Sequence, residues 1–284
     1  MKNSLLMAVA AFVLVACDKM NGDLCIDKEK DTPISIQMAG VAELITRAAA
    51  TSLGGTEDAP VVMGVFISGG SADKYNATNV AWMHNGGEKW VAQALTLYEG
   101  RGSAQQIYAY YPYVDGIIGT IEVIASEQKD YLVATSTDIT SSVISLTMNH
   151  ALAKIVLNAT MGTEVEDENI VKIEVLDMYV SGRWDVSDNS WSDLSYLPDA
   201  TLEMKGKELL VIPMLSCAKF SIVITTNTNR VFKTDISLAS VDNKLEAGVQ
   251  YNITLKVGKD KVNFGAISAA PWEGVLEDEV LETI

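Results

Sequence analysis

The residues able to do chemistry in this 284-residue chain are few and scattered. His84 and His150 are its two imidazoles. His84 precedes the turn Asn85-Gly86-Gly87 and reads as a solvated turn residue. His150 opens Ala151-Leu152-Ala153-Lys154 and reads as a hydrogen-bonding group at a strand end. Neither stands in a pattern for nucleophilic or metal catalysis. Gly54-Gly55, Gly69-Gly70 and Gly86-Gly87 lack the Gly-x-x-x-x-Gly-Lys-Ser/Thr form that cradles phosphate, and read as turns. Asp and Glu number 37, but their positions alone pair none of them into a glycosidase site. The reading is a non-enzyme without cofactor or metal. Two groups carry a more specific signal. The Cys17 thiol closes an apolar run and could take a lipid, and the Arg47–Ala48 bond offers a cut after arginine.

The elements around those groups give them meaning. Lys2 supplies the positive start of a secretory signal, and Leu5 to Ala16 run twelve residues without a charge. That is short of the about 20 residues needed to span a bilayer. Leu14-Val15-Ala16-Cys17 is similar to a lipobox, whose cysteine carries the diacylglycerol and becomes the new N-terminus. Several acyl chains anchor firmly, at about 0.8 kcal/mol per buried methylene. Residues 18–23 read as a polar tether, and residues 1–16 as the signal peptide. Ile34, Ile36 and Met38 then alternate with Ser35 and Gln37. This is a strand pattern lying upstream of Arg47. Residues 17–47 thus form a lipidated leader holding a removable strand.

Charge and cysteine usage narrow the partners. The formal net charge is −16, and the acidic residues are spread along the chain. Such a surface argues against nucleic acid, whose binding rests on cationic contacts to phosphate. It fits an extracellular surface whose like charges oppose clumping. Of the three cysteines, Cys25 lies in the leader and Cys217 far from it, which makes no disulfide framework. Cys217 reads as a small buried residue.

Strand signals dominate the rest. Val61 to Ile67 is β-rich and stops at Gly69-Gly70. Ile107-Tyr108-Ala109-Tyr110-Tyr111-Pro112-Tyr113 is an aromatic strand ended by its proline, which reads as core more readily than as a sugar-stacking platform. Val143 to Thr147 and Ala151 to Ala159 complete a first half. Residues 160–169, rich in Glu and Asp, read as a linker. In the second half Trp184 and Trp191 bracket a hairpin around Asp188-Asn189. Glu208 to Met214, Phe220 to Thr226, Arg230 to Ile236 and Tyr251 to Val257 follow. Short period-two segments between Gly, Asn and Asp turns indicate an all-β chain with two β-sandwiches, at 48–160 and 161–284.

Taken in order, several of these stretches resemble the fimbrillin family, the type V pilus subunits of Bacteroidota. The lipobox-like Leu14 to Cys17, Met63 to Ile67, Ile107 to Tyr113 and Asn149 to Ile155 each resemble a family signature. So do Leu209 to Pro213, Ala247 to Ile253 and Pro271-Trp272-Glu273-Gly274. The resemblance implies two transthyretin-like β-sandwich domains in tandem and export as an outer-membrane lipoprotein through Cys17. It also implies cleavage after Arg47, before Ala48, and head-to-tail polymerisation with other fimbrial subunits by strand exchange. Burial of Ile34, Ile36 and Met38 would contribute about 5–9 kcal/mol, similar to a domain's whole stability of about 5–15 kcal/mol. The expected donor is the tail after Trp272, with Val275, Leu276, Val280, Leu281 and Ile284 its apolar residues. The alternative is a monomeric surface lipoprotein that binds a glycan, or a host or bacterial surface ligand, through Tyr108 to Tyr113 or the tryptophans.

Overall fold

The computed structural model describes residues 32–41, 53–87, 89–93, 96–100, 104–165 and 167–272. Cys17, Arg47, Ala48 and the tail residues Val275, Leu276, Val280, Leu281 and Ile284 lie outside them. Within them regular structure is all strand, apart from a few single 3-10 turns, as the period-two patterns require.

The first sheet has seven strands. From one edge they are β1 (Ser35–Val41), β8 (Val143–His150), β7 (Leu132–Asp138), β5 (Gln106–Tyr111), β2 (Val61–Ser68), β3 (Ala77–His84) and β4 (Val91–Ala92). The two edges meet. Ile36 bridges Trp90, the residue before β4, and Pro33 bridges Tyr98. β1 therefore closes the sheet on itself.

Three further sheets follow. One holds β12 (Ser190–Tyr196), β11 (Tyr179–Asp185) and β6 (Thr120–Ile124). Another holds β13 (Thr201–Glu203), β10 (Ile170–Leu176), β15 (Lys219–Thr226) and β16 (Val231–Ser237). The last holds β14 (Glu208–Val211), β9 (Ala153–Met161), β17 (Val249–Val257) and β18 (Val262–Pro271). β9 runs parallel to β17, and β6 pairs with β11. Strand pairing thus crosses the expected break at 160/161. Residues 160–169 hold the end of β9 and a 3-10 turn at Thr163–Val165 rather than a bare linker. A period-two pattern marks a strand, but it does not name the strand's partner.

Two hydrophobic cores result, and one wall serves both. Met63, Val65 and Ile67 of β2, Ile107 and Ala109 of β5, and Leu132 and Ala134 of β7 face the N-terminal core. Their neighbours Phe66, Tyr110, Tyr131 and Val133 face the C-terminal core with Trp184, Phe220 and Tyr251. Alternation along a strand sends successive side chains to opposite faces, so a sheet covered on both sides is apolar at nearly every position. Gly64 serves this wall. A Cβ there would lie 2.1 Å from the Tyr110 ring, so only glycine admits the ring so close to the strand.

Candidate functional site

The leader strand sits in a groove with two unlike walls. One wall is β8, which β1 joins in parallel, with Ser35 level with Val143 and Ile36 level with Ile144. The other is made by Trp90 and by the non-strand residues 97–99. There Ile34 N–H donates to Leu97 O at 2.9 Å, and Trp90 N–H donates to Ile36 O at 2.9 Å. Glu99 N–H donates to Thr32 O at 2.9 Å, and Ser35 N–H to Ser142 O at 2.7 Å. From Thr32 to Ile36 the chain is thereby bonded along both edges.

The side chains follow the backbone. Ile34 is 6% exposed and Ile36 fully buried, and both share the N-terminal core with Trp90, Leu97, Ile144 and Leu146. Burying two isoleucines contributes about 3–6 kcal/mol. The expected unbroken alternation through Met38 is not what forms. One extra residue at Gln37 shifts the register, so that Met38 lies level with Ser145, and Ala39 with Leu146. Met38 is described by its backbone alone. A bulge of this kind cannot be read from spacing when Met38 and Ala39 are both apolar enough to continue the run.

The irregular wall is pinned by a side chain that spacing did not single out. Gln105 is 1% exposed. Its Oε1 accepts from Gly100 N–H and its Nε2 donates to Tyr75 O. Tyr98 N–H donates to Lys74 O at 3.1 Å. The signal available was only a glutamine between a glycine-rich turn and an apolar strand.

Downstream of Arg47, Leu53 is buried in the same core. Gly55 N–H donates to His84 Nδ1 at 3.0 Å. His84 is therefore half-buried and fastens the chain, rather than merely ending a turn. Arg47 and Ala48 lie in sequence between two fixed points, Val41 of β1 and Leu53.

His150 is buried and its Nδ1 lies 3.0 Å from Asp130 Oδ1, a hydrogen-bonding role at a strand end. Its ring also stacks on Trp272, with centroids 3.6 Å apart and planes 5° apart. The Lys154 ammonium lies 5.0 Å from the centre of the Trp272 ring. Trp272 N–H donates to Gly248 O at 2.9 Å. The root of the tail is thus fastened at the end of the strand that receives the leader.

The aromatic strand is mostly interior. Tyr110 is fully buried and its hydroxyl donates to Asn79 Oδ1 at 2.7 Å. Burial pushes its pKa up to about 12. Tyr108 stacks on Phe66 at 4.7 Å. Cys217 is buried, and burial pushes its thiol up, away from reactivity. Among the described residues no group of three or more His, Cys, Asp or Glu side chains is placed to hold a metal.

Comparison with known proteins adds kinship to this geometry. A fimbrillin-like family profile matches residues 46–272. The fold is similar to crystal structures of candidate cell adhesion proteins from Bacteroides uniformis and Bacteroides ovatus. The first is 19% identical, with a TM-score of 0.65 over 85% of this chain and 99% of that one. The second is 16% identical, with a TM-score of 0.62 over 88% and 100%. A fimbrial protein from Bacteroides vulgatus, 9% identical, gives 0.54 over 84% and 99%. No curated protein sequence matches the chain.

Proposed function

The chain belongs to the fimbrillin-like family, and from that membership we propose that it is a structural subunit of a cell-surface fimbria. Cys17 carries the lipid that ties the precursor to the outer membrane. Cleavage between Arg47 and Ala48 frees the leader. Its place is then taken by a strand from the C-terminal region of another subunit. Each subunit gives and accepts once, so the contact is head-to-tail and grows a filament. The fimbria so built supports adhesion to a host or bacterial surface.

One observation carries this reading: β1 is bonded to β8 along its length and, up to Ile36, along its other edge too, and it plugs a core, yet joins the rest of the chain through Arg47. Its departure would leave an open sheet edge and an apolar slot together. Strand addition answers both at once. An arginine-specific protease added to purified precursor is expected to yield SDS-resistant ladders. A subunit that loses its leader and remains monomeric at high concentration overturns the reading.

A further inference from the structure

The second wall of the leader's groove is itself a narrow ribbon, residues 97–100, with partners on both sides. Toward the leader it turns Leu97 O, which accepts from Ile34 N–H, and Glu99 N–H, which donates to Thr32 O. The alternate residues face away. Tyr98 N–H donates to Lys74 O at 3.1 Å, in the 3-10 turn Asp73–Tyr75. Tyr98 O and Gly100 N–H both meet the side-chain amide of Gln105. The two Nε2 hydrogens of that amide serve Tyr75 O and, at 3.4 Å, Tyr98 O, while its Oε1 takes Gly100 N–H. One carboxamide thus stands where a neighbouring strand would stand.

The supports behind the ribbon are fixed in their turn. Gln105 directly precedes β5, and its backbone O accepts from Ile139 N–H at 2.8 Å, just past the end of β7. Asn76 holds the turn that carries Lys74 and Tyr75. Its Oδ1 accepts from Gly70 N–H at 3.0 Å, and its Nδ2 donates to Gly70 O at 3.0 Å and to Ala72 O at 2.9 Å. The Lys74 ammonium lies 4.7 Å from the centre of the Tyr75 ring and 5.9 Å from that of Tyr98. Leu97 anchors the ribbon's inner side, buried in the N-terminal core. All these groups lie downstream of Arg47, and none of these contacts is made by the leader.

We infer that Gln105 holds residues 97–100 in place once the leader has gone, so that the groove keeps one finished wall for the strand that follows. The inference rests on the strand-exchange reading and assigns Gln105 as a positioning residue for that exchange. When the leader leaves, Leu97 O, Glu99 N–H and Trp90 N–H lose their bonds to it, whereas Tyr98 and Gly100 keep theirs. An incoming strand then meets a preset row of groups and does not have to order the ribbon as it binds. A glutamate cannot stand in for Gln105. Its carboxylate would accept from Gly100 N–H but would set bare oxygens against the Tyr75 and Tyr98 carbonyls.

The test uses full-length subunit cleaved after Arg47, stripped of its leader in mild denaturant and returned to buffer. Residue-resolved hydrogen exchange is expected to alternate along the ribbon. Tyr98 and Gly100 amides should stay within about tenfold of their protection in the precursor, while Glu99 exchanges at least about 100-fold faster. A peptide of residues 32–41 is then titrated onto the wild type, Gln105→Ala and Gln105→Glu. Both variants are expected to capture it at least about tenfold more slowly, with β17 amides unchanged. A residue that only steadied the bound state would speed release and leave capture alone. Equal opening of Tyr98, Glu99 and Gly100 in the stripped wild type, or capture by both variants at the wild-type rate, overturns the inference and leaves strand exchange standing. Should a variant not fold, the wild-type exchange pattern decides. A stripped wild type that shows the alternation, yet takes up neither the peptide nor another subunit, upholds the wall and overturns strand exchange itself.

Discussion

The two cores are filled on different terms. The C-terminal core takes its side chains from residues 66–272, all downstream of the Arg47–Ala48 bond, and Trp272 seals it. The N-terminal core takes Ile34 and Ile36 from upstream of that bond. Under the proposed cleavage after Arg47, the first depends only on what the mature chain would keep, and the second would be complete only while the leader stays or while something replaces it. A domain's net stability is about 5–15 kcal/mol, so a plug worth about 3–6 kcal/mol decides whether that core stands firm.

Four experiments break or sharpen this contrast. Ile36→Asp buries an unpaired charge and should cost the precursor more than about 4 kcal/mol. Hydrogen exchange should show β8 amides opening while β17 amides hold. Equal loss in both strands would mean the cores do not stand apart. Trp272→Ala truncates a fully enclosed indole and should cost about 3–5 kcal/mol in chemical denaturation. Here β17 should open first, which is the reverse order. Gln105→Ala leaves Gly100 N–H and Tyr75 O without this bond and should cost about 1–3 kcal/mol. Exchange should then rise from Trp90 to Gly100, with the C-terminal core unchanged. The last effect is confined to alkali. Tyr110 keeps its proton to about 12 when folded, against about 10 unfolded. The folded state therefore binds more protons between those values. Stability should be whole below pH 10 and fall as pH rises toward 12. Tyr110→Phe should lessen that fall in pH-dependent unfolding, leaving the share of Tyr131, which burial also raises to about 12.

Much of the framework was legible in the residues because strand periodicity is local. Ile34 and Ile36 stood out by alternation. The Trp184–Trp191 hairpin stood out by its bracketed Asp188-Asn189, and the structure pairs those tryptophans directly. Asn189 takes the left-handed conformation such a turn needs, with φ of 60°. What stayed hidden is what distant parts of the chain decide together. The one-residue slip at Gln37 depends on β8. The union of β6 with β11 depends on a shared core. The Gln105–Tyr75 contact and the stack of His150 on Trp272 join residues far apart in sequence. Residue type announces that a glutamine or tryptophan wants a partner, and only the folded chain supplies it.

The middle of the wall formed by β2, β5 and β7 is buried on both sides. A partition whose middle packs against a core on each face resists bending between the halves, so it makes a poor hinge. Each subunit should therefore behave as one stiff bead, and a filament built from such beads would flex only at the joints between them.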